Sequence, residues 1–384
     1  MTEISCEKKP LEIYVHVPFC VRKCNYCDFL SMPCDEDTKA AYMEAVLTEI
    51  RGKSERYATY RVVSVFIGGG TPSTVKPSYI AQVLEVIYSH FDVSVTAEIT
   101  MEINPGTVDE ASIRLYKQAG VNRLSIGLQS ANDKELERLG RIHSYDDFVR
   151  AYSFARRVGF CNINVDVMSA IPGQTRESYL ETLKRVTGLV PQPEHISAYS
   201  LIVEEGTVFY QEELENRLDV PDEDTERLMY EDTKQLLAEH GYHRYEISNY
   251  AKEGYECRHN KGYWERTDYV GFGIGSASLI GNERFGNGEQ MQEYIKDPLH
   301  TEAREALLTE EDEMAECMFL GLRLTAGVRK KHFEDLFGRR IHDVYGAVVE
   351  KNCALGLLEE TEDVLCLTQR GLDVANRVMA DFLL

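Results

Sequence analysis

From residue 12 to about 205, short apolar runs alternate with longer amphipathic stretches six times over, and no fold that ignores this alternation can bury the chain. The runs are EIYVHV, VVSVFIGGG, EITMEINP, RLSIGLQS, INVDVMSAIPG and HISAYSLIVEE. Between them, AAYMEAVLTEI, YIAQVLEVIYSHF, EASIRLYKQAG, YDDFVRAYSFARRVG and SYLETLKRVTGLV bring back an apolar residue every three or four positions, the period of a helix with one buried face. Gly120 and Gly159 stand where helix C-caps are expected. Mostly apolar strands, each followed by a helix, imply a parallel sheet covered by helices. The expected fold class is therefore α/β, as a partial (β/α)6 barrel or an open sheet. In both, functional groups collect at the C-terminal strand ends. The distinctive residues fall there: PFC after the first strand, GGGTP after the second, Glu102 and NPG on the third, Gln129 on the fourth, Asp166 in the fifth and Ala198 in the sixth.

The alternation stops after about residue 222, which bounds a first domain at 1–222. Residues 223–304 read as a connecting region: a helix, TERLMYEDTKQLLAEHG, then tyrosine-rich YHRYEISNYA, then the glycine-punctuated CRHNKGYWERTDYVGFGIGSASLI. Residues 305–384 form a C-terminal α+β unit. It opens with a capping-box pair, Thr309 and Asp312, and ends in a two-stranded wing and a last helix. A winged-helix pattern invites a DNA-binding reading. Charge opposes it, since residues 305–384 carry 9 Lys+Arg against 16 Asp+Glu, and packing or protein contact fits better.

The whole chain of 384 residues has a formal charge of -22, which repels a phosphate backbone and disfavours nucleic acid as partner. The N-terminal stretch MTEISCEKKPLEIYVHV has no apolar core of signal-peptide length and no apolar run approaches a membrane span, so a cytoplasmic protein without a membrane anchor is expected. The ten cysteines, seven of them widely scattered, fit a reducing compartment better than a disulfide scaffold.

The other three cysteines, Cys20, Cys24 and Cys27, stand within eight positions in CVRKCNYC. Structural zinc takes four closed ligands, usually in CxxC pairs, and there is no second pair here; His16 is better read as a barrel-lining residue. A 4Fe-4S cluster takes thiolates, and three of them leave one iron open for an exchangeable ligand.

The spacing C-x3-C-x2-C, with Tyr26 before the last cysteine, resembles the radical S-adenosylmethionine (SAM) superfamily. The resemblance implies that SAM chelates the open iron and that an electron from the cluster cleaves its sulfonium C–S bond. It also implies SAM-binding roles for Gly69, Gly70 and Thr71 in GGGTP, where Gly68 to Gly70 let the backbone approach a ligand. Glu102 would meet ribose hydroxyls or the amino group, Asp166 the ribose and Arg141 the carboxylate, with Gln129 beside them and Tyr14 touching SAM mainly through its backbone.

Within the superfamily the chain resembles the oxygen-independent coproporphyrinogen III oxidase-like group, through YVHVPFC, FIGGGTPS, EINPGT, RLSIGLQS and DVMSAIPGQT. The oxidases of that group carry a further cysteine two residues past the third; here that position is Phe29. CDF instead resembles the HemW-like haem chaperones, as does HNKGYW at 259–264, which matches their HNxxYW element. That resemblance implies haem as cargo, with His259 offering an imidazole to iron, Asn260 meeting a propionate or steadying the loop, and Tyr263 and Trp264 lying against the porphyrin. It further implies an acceptor haem protein, of the respiratory kind. Whether the chain is also an enzyme, and whether it dimerises, the sequence leaves open. Rival expectations are a coproporphyrinogen III dehydrogenase, an anaerobic haem-degrading methyltransferase and, disfavoured by charge, an enzyme acting on tRNA.

Overall fold

Six parallel strands follow one another in space as they do in sequence: β1 (Lys9–Val17), β2 (Tyr60–Gly69), β3 (Val93–Ile103), β4 (Arg123–Gln129), β5 (Ile163–Ser169) and β6 (His195–Ser200). This is a computed structural model, and it describes residues 8–383. The crossovers carry α1 (Glu36–Lys53), α2 (Pro77–His90), α3 (Glu110–Ala119), α4 (Asp133–Arg138), α5 (Tyr145–Val158) and α6 (Arg176–Thr187). Gly120 and Gly159 do end α3 and α5 in the left-handed conformation, at φ 110° and 98°.

The two faces of the strands differ, as a period of two dictates. Outward residues such as Val15, Ile67, Met101, Ile126 and Val165 are fully buried against helix residues including Leu84, Ile87, Phe148 and Leu183. Emptying any one of the larger of these, Leu84→Ala for example, costs about 2–5 kcal/mol. The inward face is polar and equally buried, with Glu12, Ser64, Glu98, Arg123, Asn164 and His195 no more than 7% exposed. Buried polar groups need partners, and most of these find one another, although among the described residues Glu12 Oε2 and Arg123 Nε have none. Asn164 Nδ2 donates to Ser125 Oγ and to Asp166 Oδ1, each at 2.8 Å, while His195 Nδ1 lies 2.6 Å from Asn164 Oδ1.

The connecting region contributes to the same sheet at both edges, which the loss of alternation after residue 222 did not announce. After α7 (Val208–Leu214) and α8 (Glu223–Glu239), the short strands β7 (His243–Arg244) and β8 (Asn249–Ala251) extend the sheet beyond β6. The chain then crosses the inward face of the sheet as the short helix α9 (Arg258–Trp264), against Glu12, Ser64 and Glu98. It returns on the far side as β9 (Tyr269–Phe272), parallel to β1, followed by β10 (Ala277–Ile280), β11 (Glu283–Asn287), α10 (Met291–Lys296) and β12 (Glu302–Leu307). The result is a twelve-stranded sheet, β12-β11-β10-β9-β1-β2-β3-β4-β5-β6-β8-β7.

Residues from α11 (Glu310–Gly321) onward have their own core, with Phe333, Tyr345, Leu365 and Phe382 buried together. The Thr309–Asp312 capping box forms as expected. The wing gains a third short strand, in the order β13 (Val328–Arg329), β15 (Val364–Leu367), β14 (Leu358–Glu360). α11 meets the barrel through Glu316, whose carboxylate accepts from Arg266 Nε and Arg284 Nη2, both at 2.9 Å.

Candidate functional site

The loop after β1 carries the cysteine triplet and is tied down along its length. Cys20 N–H donates to Met32 O and Met32 N–H to Pro18 O, at 3.1 and 2.8 Å, which closes its base. Its far side is held by the α4–α5 turn: Arg22 Nη2 donates to Gly140 O at 2.8 Å, and Asn25 donates through its side chain to Arg138 O and through its backbone to Leu139 O, both at 2.9 Å. Tyr26 packs against Leu139, Met168 and Phe209. Cys20, Cys24 and Cys27 line one cleft of about 540 Å³ at the C-terminal strand ends. All three are free thiols, and among the described residues no three His, Cys, Asp or Glu side chains converge to cage a single metal ion. Three soft donors spaced around an open cleft suit the separate corners of a cluster instead. Arg141 Nη1 lies 3.8 Å from Cys24 Sγ, a contact that strengthens when the sulfur is a thiolate.

Gly69, Gly70, Thr71, Glu102, Gln129, Arg141 and Asp166 line the same cleft. The glycines do more packing within the protein than the sequence suggested. A Cβ on Gly68 would meet Glu102 Oε2 at 2.8 Å, one on Gly69 the His16 ring at 2.6 Å, and one on Gly70 the Phe19 carbonyl oxygen at 2.8 Å. Gly69 is also at φ 113°, where side chains are strained. The run thus lets the β1 loop and Glu102 close over β2. Gly69 N–H in turn donates to Glu102 Oε2 at 3.2 Å.

Burial, with the Asp166 charge adding to it, pushes the Glu102 carboxyl up to about 8, although the Gly69 bond works the other way. Desolvation raises Asp166 as well, against the bonds from Asn164 and Ser197. Two buried carboxyls and the Arg141 guanidinium thus line one cleft, a set able to meet both cationic and anionic groups. Arg141 spends Nη2 on Gly127 O at 2.6 Å and keeps a buried Nε that finds no partner among the described residues. Gln129 sits at φ 71°, uncommon for a side-chain-bearing residue, and its Oε1 accepts from Tyr199 Oη at 2.9 Å. Tyr199 also lines the cleft and was not singled out from the sequence; its inward place on β6, two residues past Ser197, is the signal that would have found it.

The side chain of Tyr14, expected to meet SAM mainly through its backbone, turns to a second cleft, of about 590 Å³, lined by Tyr14, His16, Phe66, Tyr263, Trp264 and Tyr269 and by Leu320 of α11. Phe66 and Tyr269 were not picked out from the sequence: Phe66 opens FIGGGTPS ahead of its glycines, and Tyr269 lies outside HNKGYW. The two clefts meet at Gly69, Glu102 and Phe29, which line both. Phe29 is 62% exposed at that junction.

The HNKGYW element is helix, not loop, and divides its residues among three places. Asn260 lines the first cleft; Tyr263 and Trp264 line the second. His259 faces neither. It is 1% exposed inside the barrel, stacked on Phe66 at 5.1 Å, with Nδ1 2.8 Å from Ser64 Oγ and Nε2 3.0 Å from Tyr263 Oη. Burial, then the Arg123 charge, depress its pKa to about 3, so the ring is neutral. With both nitrogens engaged, His259 is not poised to ligate an iron. Cys257 is fully buried too, its Sγ 3.4 Å from Glu98 Oε1.

Residues 14–186 match the radical SAM superfamily model and residues 308–374 the HemN C-terminal domain. The chain is 36% identical to heme chaperone HemW of Bacillus subtilis, over 96% of this chain and 98% of that protein. To heme chaperone HemW of Escherichia coli it is 33% identical, over 97% and 98%. The solved structure of coproporphyrinogen III oxidase (HemN) from Escherichia coli, described as a radical SAM enzyme, superposes with a TM-score of 0.85 at 22% identity, covering 98% of this chain and 90% of that one; at that identity the likeness is one of fold. The partial barrel, the C-terminal unit and the full-length relatives agree: the chain belongs to the radical SAM superfamily, in the family of the heme chaperone HemW.

Proposed function

We propose that this chain is a haem chaperone that holds haem in the second cleft, beside a 4Fe-4S cluster and SAM in the first, and passes the haem to an acceptor haem protein. The observation that carries this reading is the meeting of two unlike clefts at Gly69, Glu102 and Phe29: one lined by three thiols and buried carboxyls, the other by flat aromatic rings. A cleft of about 590 Å³ lies within the roughly 300–1,000 Å³ of ligand pockets. Aromatic faces favour a flat apolar ring system.

Cys20, Cys24 and Cys27 would hold the cluster; Gly69, Gly70, Thr71, Glu102, Gln129, Arg141 and Asp166 would hold SAM, with the backbone of Tyr14 at the cleft boundary. When bound, the cluster supplies an electron and SAM the sulfonium bond that the electron can cleave. Arg141 orients a carboxylate through its fork, Glu102 and Asp166 accept from hydroxyls or an amino group, and the ring of Phe29 screens the junction from water. Tyr263 and Trp264 lie against the haem, and Asn260 extends the same helix into the SAM side. The acceptor we envisage is a respiratory haem protein reached from the cytoplasm; among the described residues no helix is long and apolar enough to cross a membrane.

The rival dehydrogenase reading shares the fold and lacks its extra cysteine at Phe29. One sample distinguishes them. After anaerobic reconstitution the protein is titrated with haem, then given coproporphyrinogen III, SAM and a reductant. Stoichiometric haem binding without protoporphyrinogen is expected; protoporphyrinogen formation would overturn the chaperone reading, and iron release with a linear tetrapyrrole would identify a haem-degrading enzyme.

A further inference from the structure

Arg266 stands where the chain leaves α9, just outside HNKGYW. Thr267 N–H donates to Gly262 O at 2.8 Å and Arg266 N–H to Tyr263 O at 3.3 Å, the pair of bonds that ends a helix on a left-handed residue. Glycine usually fills that position; here it is Arg266, at φ 55°. What the arginine side chain reaches is the second cleft, which it lines together with Arg284 of β11. Neither lines the first.

Glu316 of α11 lies between the two guanidiniums. Its Oε2 accepts from Arg266 Nε and its Oε1 from Arg284 Nη2, both at 2.9 Å, so one carboxylate bridges both arginines and sets their spacing. A second acid, Glu313, reaches only Arg266 Nη1, at 3.5 Å. Arg266 Nη2 and Arg284 Nε are then buried without a partner among the described residues. Buried N–H groups seldom go unpaired in a native protein, and two on neighbouring arginines of one cleft mark donors held for something else. The Arg266 side chain is 10% exposed, whereas that of Arg284 is 33% exposed and within a ligand's reach.

Apart from these arginines, His16 and Glu102, the cleft is lined by apolar and aromatic residues and glycine. Rings and two guanidiniums together suit a flat apolar molecule with an acid at its edge. Haem is such a molecule, through its propionates, and Asn260, to which the sequence gave a propionate, lines the first cleft instead. A guanidinium meets a carboxylate through parallel N–H bonds, and its charge strengthens them. We propose that Arg284, with Arg266 beside it, is the carboxylate anchor of the second cleft, holding a propionate of the haem while the aromatic rings take its face. This rests on the reading that the cleft holds haem. The anchor does not touch iron, so it serves the iron-free porphyrin equally.

The test titrates the full chain with haem and with haem dimethyl ester, whose propionates are blocked, and repeats the pair with iron-free protoporphyrin and its dimethyl ester. Wild type is expected to bind each acid about tenfold or more tighter than its ester, the worth of a charge-assisted hydrogen bond. In Arg284→Gln and Arg266→Gln that ratio falls toward one, because the loss falls on the acid, and Arg284→Lys recovers part of it. A merely structural role would lower acid and ester together and leave the ratio standing. Where Arg266→Gln fails to fold, Arg284→Gln carries the test, since it leaves Arg266 bonded to Glu316. A wild type that binds acid and ester alike, or a ratio that survives the substitutions, overturns the anchor and leaves the chaperone reading intact. A wild type that binds no haem overturns both.

Discussion

The two clefts share a wall and almost nothing else in how they are made. The first is assembled from groups at successive strand ends, each held by short polar contacts: the cysteine loop on the α4–α5 turn, Arg141 on Gly127 and Cys24, Glu102 on Gly69. The second is assembled from rings, with Tyr14, Phe66, Tyr263 and Tyr269 packed across four separate segments and joined by Leu320. A polar site fixes individual atoms, whereas an apolar one fixes a shape. The difference suits the first cleft to a ligand held by its functional groups and the second to one held by its outline.

The largest expected effect separates them outright. Replacing one thiol of three removes a cluster corner and leaves the aromatic cleft untouched, because Cys24 lines the first cleft alone. Cys24→Ala should therefore lose the visible iron–sulfur absorbance entirely, while haem titrates with an affinity within about threefold of wild type, under 1 kcal/mol. Retention of full iron and sulfide would remove Cys24 from the ligand set. Loss of haem binding together with the cluster would show that the two clefts are one site.

That same difference governs how far each cleft is legible in the sequence. A strand end is a local event: the six alternations show as periods of two and 3.6, so strand order alone puts Cys20, Gly69, Glu102, Gln129 and Asp166 at one mouth. Glycine spacing is legible while its purpose is not, since what a Cβ on Gly69 would strike is the His16 ring, on another strand. The second cleft joins β1, β2, α9 and β9 to β11, and no period or motif spans that distance. HNKGYW marks the right helix but not its orientation. That depends on Gly262, where a Cβ would collide with Glu12 at 2.1 Å, and on a barrel interior polar enough to take a neutral imidazole. The sheet edges escape a sequence reading because β7 to β9 are two to four residues long, too short to show alternation.

Glu102 stands on the shared wall, and its effect is intermediate and dependent on pH. Burial and Asp166 hold its carboxyl up at about 8 in the free protein. SAM brings a cationic sulfonium and groups that donate to a carboxylate, so the bound form favours ionised Glu102 and a lower pKa. The sign follows: below about 8 binding must release a proton, and SAM affinity rises with pH by up to about tenfold per unit; above it the affinity levels off. Isothermal titration from below to above that value should show the rise in wild type and a flatter, weaker profile in Glu102→Gln. An identical profile in the variant would assign the pH dependence to SAM itself. A haem affinity that follows the same curve would mean the carboxyl serves the second cleft instead.

The smallest expected effect lies at Phe29, and it bears on whether the clefts communicate. Its side chain is 62% exposed, so removing it should cost no more than about 0.5 kcal/mol of stability. Because it lines both clefts, each ligand narrows the positions the ring can occupy when the other binds. Any such influence is reciprocal: the factor by which SAM changes haem affinity equals the factor by which haem changes SAM affinity. Phe29→Ala should leave each single-ligand affinity nearly unchanged and bring that mutual factor toward one, a change of about two- to fivefold in a titration of haem with and without saturating SAM. If the factor is already one in the wild type, the shared wall is a partition rather than a link. If it survives in Phe29→Ala, the coupling runs through Glu102 and Gly69, which Glu102→Gln on the same titration would expose.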